Sequence, residues 1–273
     1  MDCKLLVVDI DGTLVMRAGE ISAADREALT AARGLGIDVS LCTGRAMITG
    51  RLIVETLGLD GYHMFFDGGL VADPRTGEII FARPLGTDVV RRAVSFARRH
   101  HLAFDLFGPN SYLAEEESWV TDIRRSYFGI SPTIMDFDSL PESQQVIKGT
   151  LVVRSREEKA GAERFRHEFE GELTLSNTVT PAFPGVDFIN VVAPGVSKKG
   201  ALEALVRHLG VPLDQVMAIG DGVNDMPLIT SAGLGVAMGN APDAVKAAAD
   251  YVTLDADHSG VAAAVQKFIL GLR

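Results

Sequence analysis

Residues 5–14 read LLVVDIDGTL, and this stretch decides how the rest of the chain is interpreted. Its first part is an apolar run with β-branched residues, which is typical of a strand buried on both faces of a parallel sheet. The run ends in two carboxylates, Asp9 and Asp11, followed by Gly12 and Thr13. Because a buried charge is costly unless it is paired or bound to a metal, these acids indicate a site. Ligands of open α/β sheets bind at the carboxyl ends of the strands.

The same residues have a structural alternative. An aspartate that precedes a glycine is common in turns, where its side chain hydrogen-bonds the nearby backbone. The stretch alone leaves both interpretations open, and the flanking sequence has to distinguish them.

The chain beyond this stretch alternates between helix and strand patterns. Ser22 begins a helix that stops at Gly36, residues 37–42 form a second apolar run, and the next helix stops at Gly58. The same rhythm returns from Ser197 to the end of the sequence. This alternation predicts an α/β fold, a Rossmann-like parallel-sheet core with helices on both faces.

The rhythm changes in the middle of the chain, where short strands and helices follow each other irregularly. We interpret residues 84–189 as an inserted α+β domain, so that the core consists of residues 1–83 and 190–273. A hairpin is predicted just before this insert, at residues 70–72 and 78–82. Within the insert, strands are predicted at residues 103–107, 147–153, 172–176 and 187–192, and a helix at residues 156–169.

Composition excludes several classes of protein. The 273 residues carry a net charge of −10, which argues against nucleic acid as a partner because its backbone calls for a basic surface. The two cysteines, Cys3 and Cys42, lie in or beside predicted core strands, which favours small buried side chains over a disulfide or a metal site. No basic leader and no apolar window of membrane-spanning length is present, so we expect a cytoplasmic protein with no membrane partner.

Four groups of polar residues stand at predicted strand ends or at a helix start. Because the carboxyl ends of parallel strands meet at one edge of a sheet, we expect the groups to converge there. Acids that meet at one point repel each other unless a cation binds among them, and oxygen ligands favour Mg²⁺ over zinc. Threonine, lysine and glycine-flanked N–H groups beside such a cation are typical of a phosphate site. The groups are Asp9, Asp11 and Thr13; Thr43 and Arg45; Lys198 and Lys199; and Asp221, Asn224 and Asp225.

Each group also has an ordinary structural explanation when it is taken alone. A lysine on a helix surface is usually solvated, and the segments 43–44 and 220–222 are compatible with simple turns. The occurrence of all four groups in this order favours the functional interpretation.

The order of the groups resembles the four motifs of the haloacid dehalogenase superfamily of phosphatases. It is most similar to the Cof-type subgroup, which carries a large α+β cap between the second and third motifs. The resemblance covers the whole chain, and it implies that the inserted domain is a cap that selects the leaving group. The matching segments are residues 9–14 (DIDGTL), 43–45 (TGR), 195–202 (GVSKKGAL) and 220–225 (GDGVND).

The resemblance also implies a role for each matched residue. Asp9 would be the nucleophile that forms an aspartyl-phosphate, and Asp11 would be the general acid and then the general base. Mg²⁺ would be held by the Asp9 carboxylate, the Asp11 backbone carbonyl and Asp221, with Asp225 supporting this shell and the lysine. Arg45 and Asn190 would contact the substrate. The residues expected to bind phosphate are Thr43, Gly44, Lys198 and Asn224.

Three positions leave a choice or depart from the pattern. Counting back from Ala201 makes Lys198 the motif lysine, and Lys199 is the alternative, at a position where relatives usually have glycine. Asp67 stands where relatives usually have asparagine, and Asn190 stands where they often have an acid. These two departures bear on the choice of substrate and leave the four motifs untouched.

The sequence thus predicts a Mg²⁺-dependent phosphatase acting on a small phosphorylated metabolite such as a sugar phosphate, a phosphorylated acid or a nucleotide. Two alternatives use the same site differently. A phosphotransferase or phosphomutase would pass the phosphoryl group to a substrate hydroxyl, and a non-catalytic sensor would only bind the metabolite. Asp11, an acid suited to activating water, favours hydrolysis. Monomer and homodimer are both compatible with the sequence.

Overall fold

The computed structural model describes residues 2–15, 19–179 and 182–271, which form two compact units. The first unit comprises Met1–Arg45, Gly50–Phe81 and Ser197–Arg273, and the second comprises Ala46–Thr49 and Ala82–Val196. The second unit ends beyond the predicted residue 189 because the strand Asp187–Val192 pairs with strands of that unit along its whole length.

The first unit is built on one eight-stranded sheet. Its strands are β1 (Leu5–Asp9), β2 (Asp38–Cys42), β3 (His63–Phe65), β4 (Leu70–Ala72), β5 (Ile79–Ala82), β12 (Val216–Gly220), β13 (Leu234–Ala237) and β14 (Tyr251–Val252), numbered along the whole chain. The sheet order is β14-β13-β12-β1-β2-β3-β4-β5. All pairs from β14 to β3 are parallel, which confirms the predicted parallel-sheet core and places β1 near its centre.

Helices cover both faces of this sheet. The helices are α1 (Ala23–Gly34), α2 (Met47–Thr56), α6 (Lys198–Leu209), α7 (Met226–Ile229), α8 (Asp243–Ala248) and α9 (Gly260–Phe268). Leu6 and Val8 face a core shared with α1, α2 and α9, whereas Leu5 and Val7 face a core shared with α6 and α7. Strand β1 is therefore buried on both sides, as its continuous apolar sequence indicates. In the described part of the chain, no helix is long and apolar enough to cross a membrane.

The turn after β3 has an uncommon backbone conformation. Strand β4 pairs antiparallel with β3, and the turn between them places Phe66 and Asp67 in the left-handed region, with φ of 55° and 56°. Residues other than glycine adopt this conformation at a cost, and Gly68, which follows them, also has a positive φ of 97°. The backbone N–H groups of Phe66 and Asp67 donate to the carbonyls of Arg45 and Thr43, which ties this turn to the loop after β2.

The second unit is an α+β structure around a six-stranded sheet of order β10-β11-β9-β6-β7-β8. Its helices are α3 (Thr87–Arg99), α4 (Trp119–Phe128) and α5 (Arg156–Glu168). Helices α3 and α5 share one core with the sheet, and Val120 of α4 packs with Val152 and Phe188 in another. Its strands are β6 (Ala103–Phe107), β7 (Tyr112–Ala114), β8 (Thr133–Ile134), β9 (Lys148–Val153), β10 (Thr174–Val179) and β11 (Asp187–Val192).

Helix α4 was not predicted from the sequence. Its buried residues are Val120, Thr121 and Arg124, so two of the three are polar and the helix lacks a continuous apolar stripe. Ser118 caps it, and its hydroxyl accepts a hydrogen bond from the Val120 N–H. Strand β10 also begins two residues later than predicted, at Thr174, after the isolated bridge between Glu170 and Leu173.

Candidate active site

The loop after β1 brings the predicted nucleophile and general acid to the carboxyl edge of the sheet. Asp9 is the last residue of β1 and is buried, whereas Asp11 is exposed. The loop turns tightly at Gly12, whose φ of +87° favours glycine. A Cβ at Gly12 would also collide with the Asp221 carboxylate, so only glycine lets the two loops approach this closely.

Lys198 lies at the N-terminus of α6 and is among the most buried polar residues, with 1% of its surface exposed. Its Nζ donates to Asp9 Oδ1 at 2.6 Å and also to Asp225 Oδ1. Lys199 points elsewhere, because its side chain is half exposed and its Nζ is 3.9 Å from Glu203 Oε1. Of the two lysines left open by the sequence, the geometry therefore favours Lys198.

The loop after β12 supplies two further carboxylates in different environments. Asp225 is fully engaged: its Oδ2 accepts the backbone N–H groups of Asp221 and Gly222, and its Oδ1 accepts Lys198. Asp221 has an uncharged donor at Oδ1, which accepts the Thr13 hydroxyl at 2.9 Å. The predicted roles of Asp221 as a metal ligand and of Asp225 as a support for the lysine stay predictions.

The cluster carries more negative than positive charge. Oxygens of Asp9, Asp221 and Asp225 lie within 4.8 Å of one another, and Lys198 is the ammonium group that bridges two of these acids. Burial and the Asp225 carboxylate raise the pKa of Asp9 well above its usual value, although Lys198 opposes this effect. Burial likewise raises the pKa of Asp221 to about 6. Burial by itself lowers the pKa of Lys198, but the two carboxylates raise it well above its usual value.

These observations fit a divalent cation. Asp9 and Asp221 present oxygens to the same point, and burial raises the pKa of both carboxyl groups, so their charged forms would gain from a nearby cation. Histidine and cysteine ligands are absent from this group, and an all-oxygen set suits a hard cation such as Mg²⁺.

The loop after β2 carries the second motif. Thr43 is buried, and its hydroxyl accepts the N–H of Arg45 at 3.1 Å. The Arg45 guanidinium donates hydrogen bonds to both carboxylate oxygens of Asp11, with Nε 2.9 Å from Oδ2. Arg45, predicted to contact the substrate, thus contacts the predicted general acid.

Asp67, which departs from the family pattern, lies beside two predicted phosphate-binding residues. Its Oδ1 accepts a hydrogen bond from Asn224 Nδ2 at 3.0 Å, and it would stand 2.8 Å from a Cβ at Gly44. The structure therefore brings Gly44, Asn224 and Asp67 together.

Asn190 lies in the second unit, on β11. Its Nδ2 donates to the Thr178 hydroxyl at 3.0 Å, and it pairs in register with Thr150 on β9 and Ser176 on β10. Its predicted contact with the substrate stays a prediction.

One residue of the site was missed in the sequence. Asn240 follows β13, and its Nδ2 donates to the Gly12 carbonyl at 2.8 Å and lies 3.3 Å from Asp221 Oδ2. The signal was the segment Gly239–Asn240 after a buried apolar run, which is the same kind of strand end that carries the other motifs.

The sequence of this chain is similar to those of known proteins. Residues 6–265 match the family of haloacid dehalogenase-like hydrolases. One relative is the 5-amino-6-(5-phospho-D-ribitylamino)uracil phosphatase YcsE of Bacillus subtilis (strain 168), which is 29% identical over 270 residues and aligns with 99% of this chain and 97% of its own length.

Solved structures give the same result. A haloacid dehalogenase-like hydrolase from Bacteroides thetaiotaomicron superposes with a TM-score of 0.85 at 28% identity, covering 98% of this chain and 100% of that chain. A sugar phosphatase of subclass IIB superposes with a TM-score of 0.75 at 27% identity, covering 97% of this chain and 98% of that chain. The resemblance noted from the four motifs is confirmed.

Proposed function

We propose that this chain, which belongs to the haloacid dehalogenase-like hydrolases and is a phosphatase, is Mg²⁺-dependent and hydrolyses a small phosphorylated metabolite through an aspartyl-phosphate on Asp9. One observation carries the proposal: Asp9 is buried at the end of β1, accepts a hydrogen bond from Lys198 and lies close to Asp221. A buried carboxylate held among other acids is costly for stability alone, but it suits a nucleophile that works beside a cation.

In the first step, an Asp9 carboxylate oxygen attacks phosphorus and the bond from phosphorus to the leaving oxygen breaks. Asp11 donates a proton to that leaving oxygen. In the second step, Asp11 takes a proton from water, the water oxygen attacks phosphorus, and the bond to Asp9 breaks. The products are the alcohol and inorganic phosphate, and both aspartates return to their initial state.

The remaining residues neutralise and orient the phosphoryl group. Lys198, the Thr43 hydroxyl and the Gly44 backbone are proposed to bind its oxygens, with Asn224 beside them. The proposed cation would be held by Asp9, the Asp11 carbonyl and Asp221. When bound, it would reduce the repulsion between the anionic nucleophile and the anionic phosphate.

Support for a small metabolite as substrate comes from the relatives. One is named for a phosphorylated ribitylaminouracil and another is described as a sugar phosphatase. We infer that the second unit is the cap that selects the leaving group. We also infer that Asn190 on β11 contacts the substrate.

The test is phosphate release from a panel of phosphorylated metabolites, measured with and without Mg²⁺ for the wild type and Asp9→Asn. We expect release that requires both Mg²⁺ and Asp9. Release by Asp9→Asn at the wild-type rate would overturn the assignment. Transfer to an added alcohol acceptor in preference to water would replace hydrolysis by phosphotransfer, and binding without turnover would favour a sensor.

A further inference from the structure

Asn240 connects three loops at the carboxyl edge of the first unit's sheet. Strand β13 lies beside β12, and β12 lies beside β1, so the loops that follow these strands are neighbours. Asn240 Nδ2 donates to the Gly12 carbonyl, in the loop after β1, and lies 3.3 Å from Asp221 Oδ2, in the loop after β12. Its Oδ1 accepts the Ala256 N–H at 3.0 Å, in the loop after β14.

The two atoms that Asn240 Nδ2 contacts belong to the segments proposed to hold the cation. Gly12 follows the Asp11 carbonyl directly, and Asp221 is one of the three carboxylates of the cluster. Each Asp221 oxygen has its own donor, Thr13 at Oδ1 and Asn240 at Oδ2. Together these two donors fix the rotation of the carboxylate and leave its remaining lone pairs for a ligand.

Stability alone does not explain the Nδ2 contacts. Asn240 is exposed, and Asp221 and Gly12 are only partly buried, so water can serve their oxygens when the amide is removed. Water would satisfy these oxygens without holding the two loops at a fixed separation. The contact of Oδ1 with the Ala256 N–H, by contrast, anchors the amide and sets where its nitrogen points.

We propose that Asn240 is a positioning residue for the divalent cation, holding Asp221 and the Gly12 peptide in the arrangement that binds it. The inference rests on the proposed function, because it concerns the same cation. Residues that orient metal ligands from outside change metal affinity by about 10- to 100-fold when they are removed. We expect Asn240→Ala to weaken the affinity for the cation by about this factor.

The experiment titrates the full chain with Mn²⁺ in the absence of substrate and measures free Mn²⁺ by electron paramagnetic resonance. Asn177→Ala is the matched control, because Asn177 also uses its side-chain amide in a hydrogen bond, to Arg166 in the second unit. The wild type and Asn177→Ala are expected to bind Mn²⁺ equally. Asn240→Ala is expected to bind it about tenfold or more weakly.

A second measurement separates positioning from a loss of structure. With raised Mg²⁺, phosphate release by Asn240→Ala should approach the wild-type kcat, whereas a misfolded variant stays less active at every Mg²⁺ concentration. If the alanine variant does not fold, Asn240→Gln takes its place; it keeps the amide but displaces it by one methylene, and it should also bind Mn²⁺ more weakly.

The outcomes are distinguishable. If Asn240→Ala, or Asn240→Gln in its place, binds Mn²⁺ as tightly as the wild type, the inference about Asn240 is overturned and the proposed function stands. If the wild type itself binds no Mn²⁺, the metal-dependent function fails. If the wild type binds Mn²⁺, and Asn240→Ala binds it more weakly but regains its kcat at raised Mg²⁺, the inference about Asn240 and the proposed function are both supported.

Discussion

Both units bury charged side chains, but they balance the charge differently. In the second unit, Arg124 Nε donates to Asp105 Oδ2 at 3.1 Å, one acid for one base, and both residues are buried. Four rings surround the guanidinium at 5.2 to 6.0 Å, those of Phe107, Tyr112, Phe128 and Phe188. In the first unit, Lys198 meets two carboxylates and a third stands close by.

The difference separates a structural pair from a functional cluster. A balanced ion pair inside an aromatic cage has no charge left for a ligand, although its burial gives it little net stabilising value. The cluster around Lys198 has surplus negative charge, and a protein keeps such a surplus only where something else supplies the missing positive charge. The comparison thus predicts that the two sites respond oppositely to substitution, to pH and to metal.

The largest expected effect is on activity, from Lys198→Met. Removing the ammonium takes away the group that donates to Asp9 and that we propose binds the phosphoryl oxygens, so we expect kcat to fall by about 10³-fold or more. The matched control is Lys199→Ala, which removes the neighbouring exposed lysine and should leave kcat unchanged. Phosphate release measured at saturating Mg²⁺ tests both variants. A large loss from Lys199→Ala with little loss from Lys198→Met would mean that the wrong lysine has been placed in the site.

Arg124→Met should instead act on stability. It leaves Asp105 buried without a partner, and we expect a loss of about 3–5 kcal/mol in the free energy of unfolding, measured by urea denaturation. The double variant Asp105→Leu with Arg124→Met should recover most of that loss, because replacing both partners removes the uncompensated charge. A double variant as unstable as the single one would show that the pair contributes more than charge balance.

Asp221 should make the stability of the metal-free protein depend on pH. Its pKa is about 6 in the folded protein, above the value of about 3.9 in an unfolded chain. The folded state therefore binds this proton more tightly, and the stability from that proton is present below about pH 4 and is lost as pH rises through about 6. We expect the wild type to lose stability relative to Asp221→Asn over this interval.

The measurement is urea unfolding of both proteins with a chelator, at about pH 4 and about pH 7. Saturating Mg²⁺ should remove the disadvantage of the wild type at the higher pH, because the cation supplies the missing charge. A difference in stability between the two proteins that is the same at both pH values would contradict the assignment of surplus charge to Asp221.

A smaller effect is expected from Arg45→Lys. The arginine holds both oxygens of Asp11, and a lysine cannot reproduce this two-point contact. General acid catalysis matters most for poor leaving groups, so we expect kcat for an alkyl phosphate to fall by about tenfold and kcat for p-nitrophenyl phosphate to change little. Arg51→Lys, in the exposed pair with Glu55, is the control. Equal losses on both substrates would indicate that Arg45 contacts the phosphoryl group instead.

The sequence predicted those features that depend on one strand or one motif. Continuous apolar runs predicted the buried parallel strands, and polar residues at two strand ends and one helix start predicted that Asp9, Asp221 and Lys198 are neighbours. The sequence did not predict features that depend on which strands are adjacent. Asn240 reaches Gly12 only because β13 lies beside β12 and β12 beside β1, and a sequence does not reveal that order.

Local chemistry hid other features. Gly68 and Gly69 mark a turn after β3, but the left-handed conformation of Phe66 and Asp67 and the contact of Asp67 with Asn224 are set by tertiary contacts. Helix α4 was missed because Arg124 and Thr121 occupy its buried face, and a charged side chain there interrupts the apolar periodicity. In each case tertiary contacts compensate for a backbone conformation or a buried polar side chain that is unfavourable on its own.

The most direct test of the central claim is to locate the phosphoryl group on the protein. Asp11→Asn should still accept a phosphoryl group from p-nitrophenyl phosphate, whose leaving group needs no proton, but it should hydrolyse the aspartyl-phosphate slowly. Acid quenching with Mg²⁺ present, followed by tandem mass spectrometry, should find the phosphoryl group on Asp9. Its absence from Asp9 while p-nitrophenol is released, or its presence on another residue, would contradict the account.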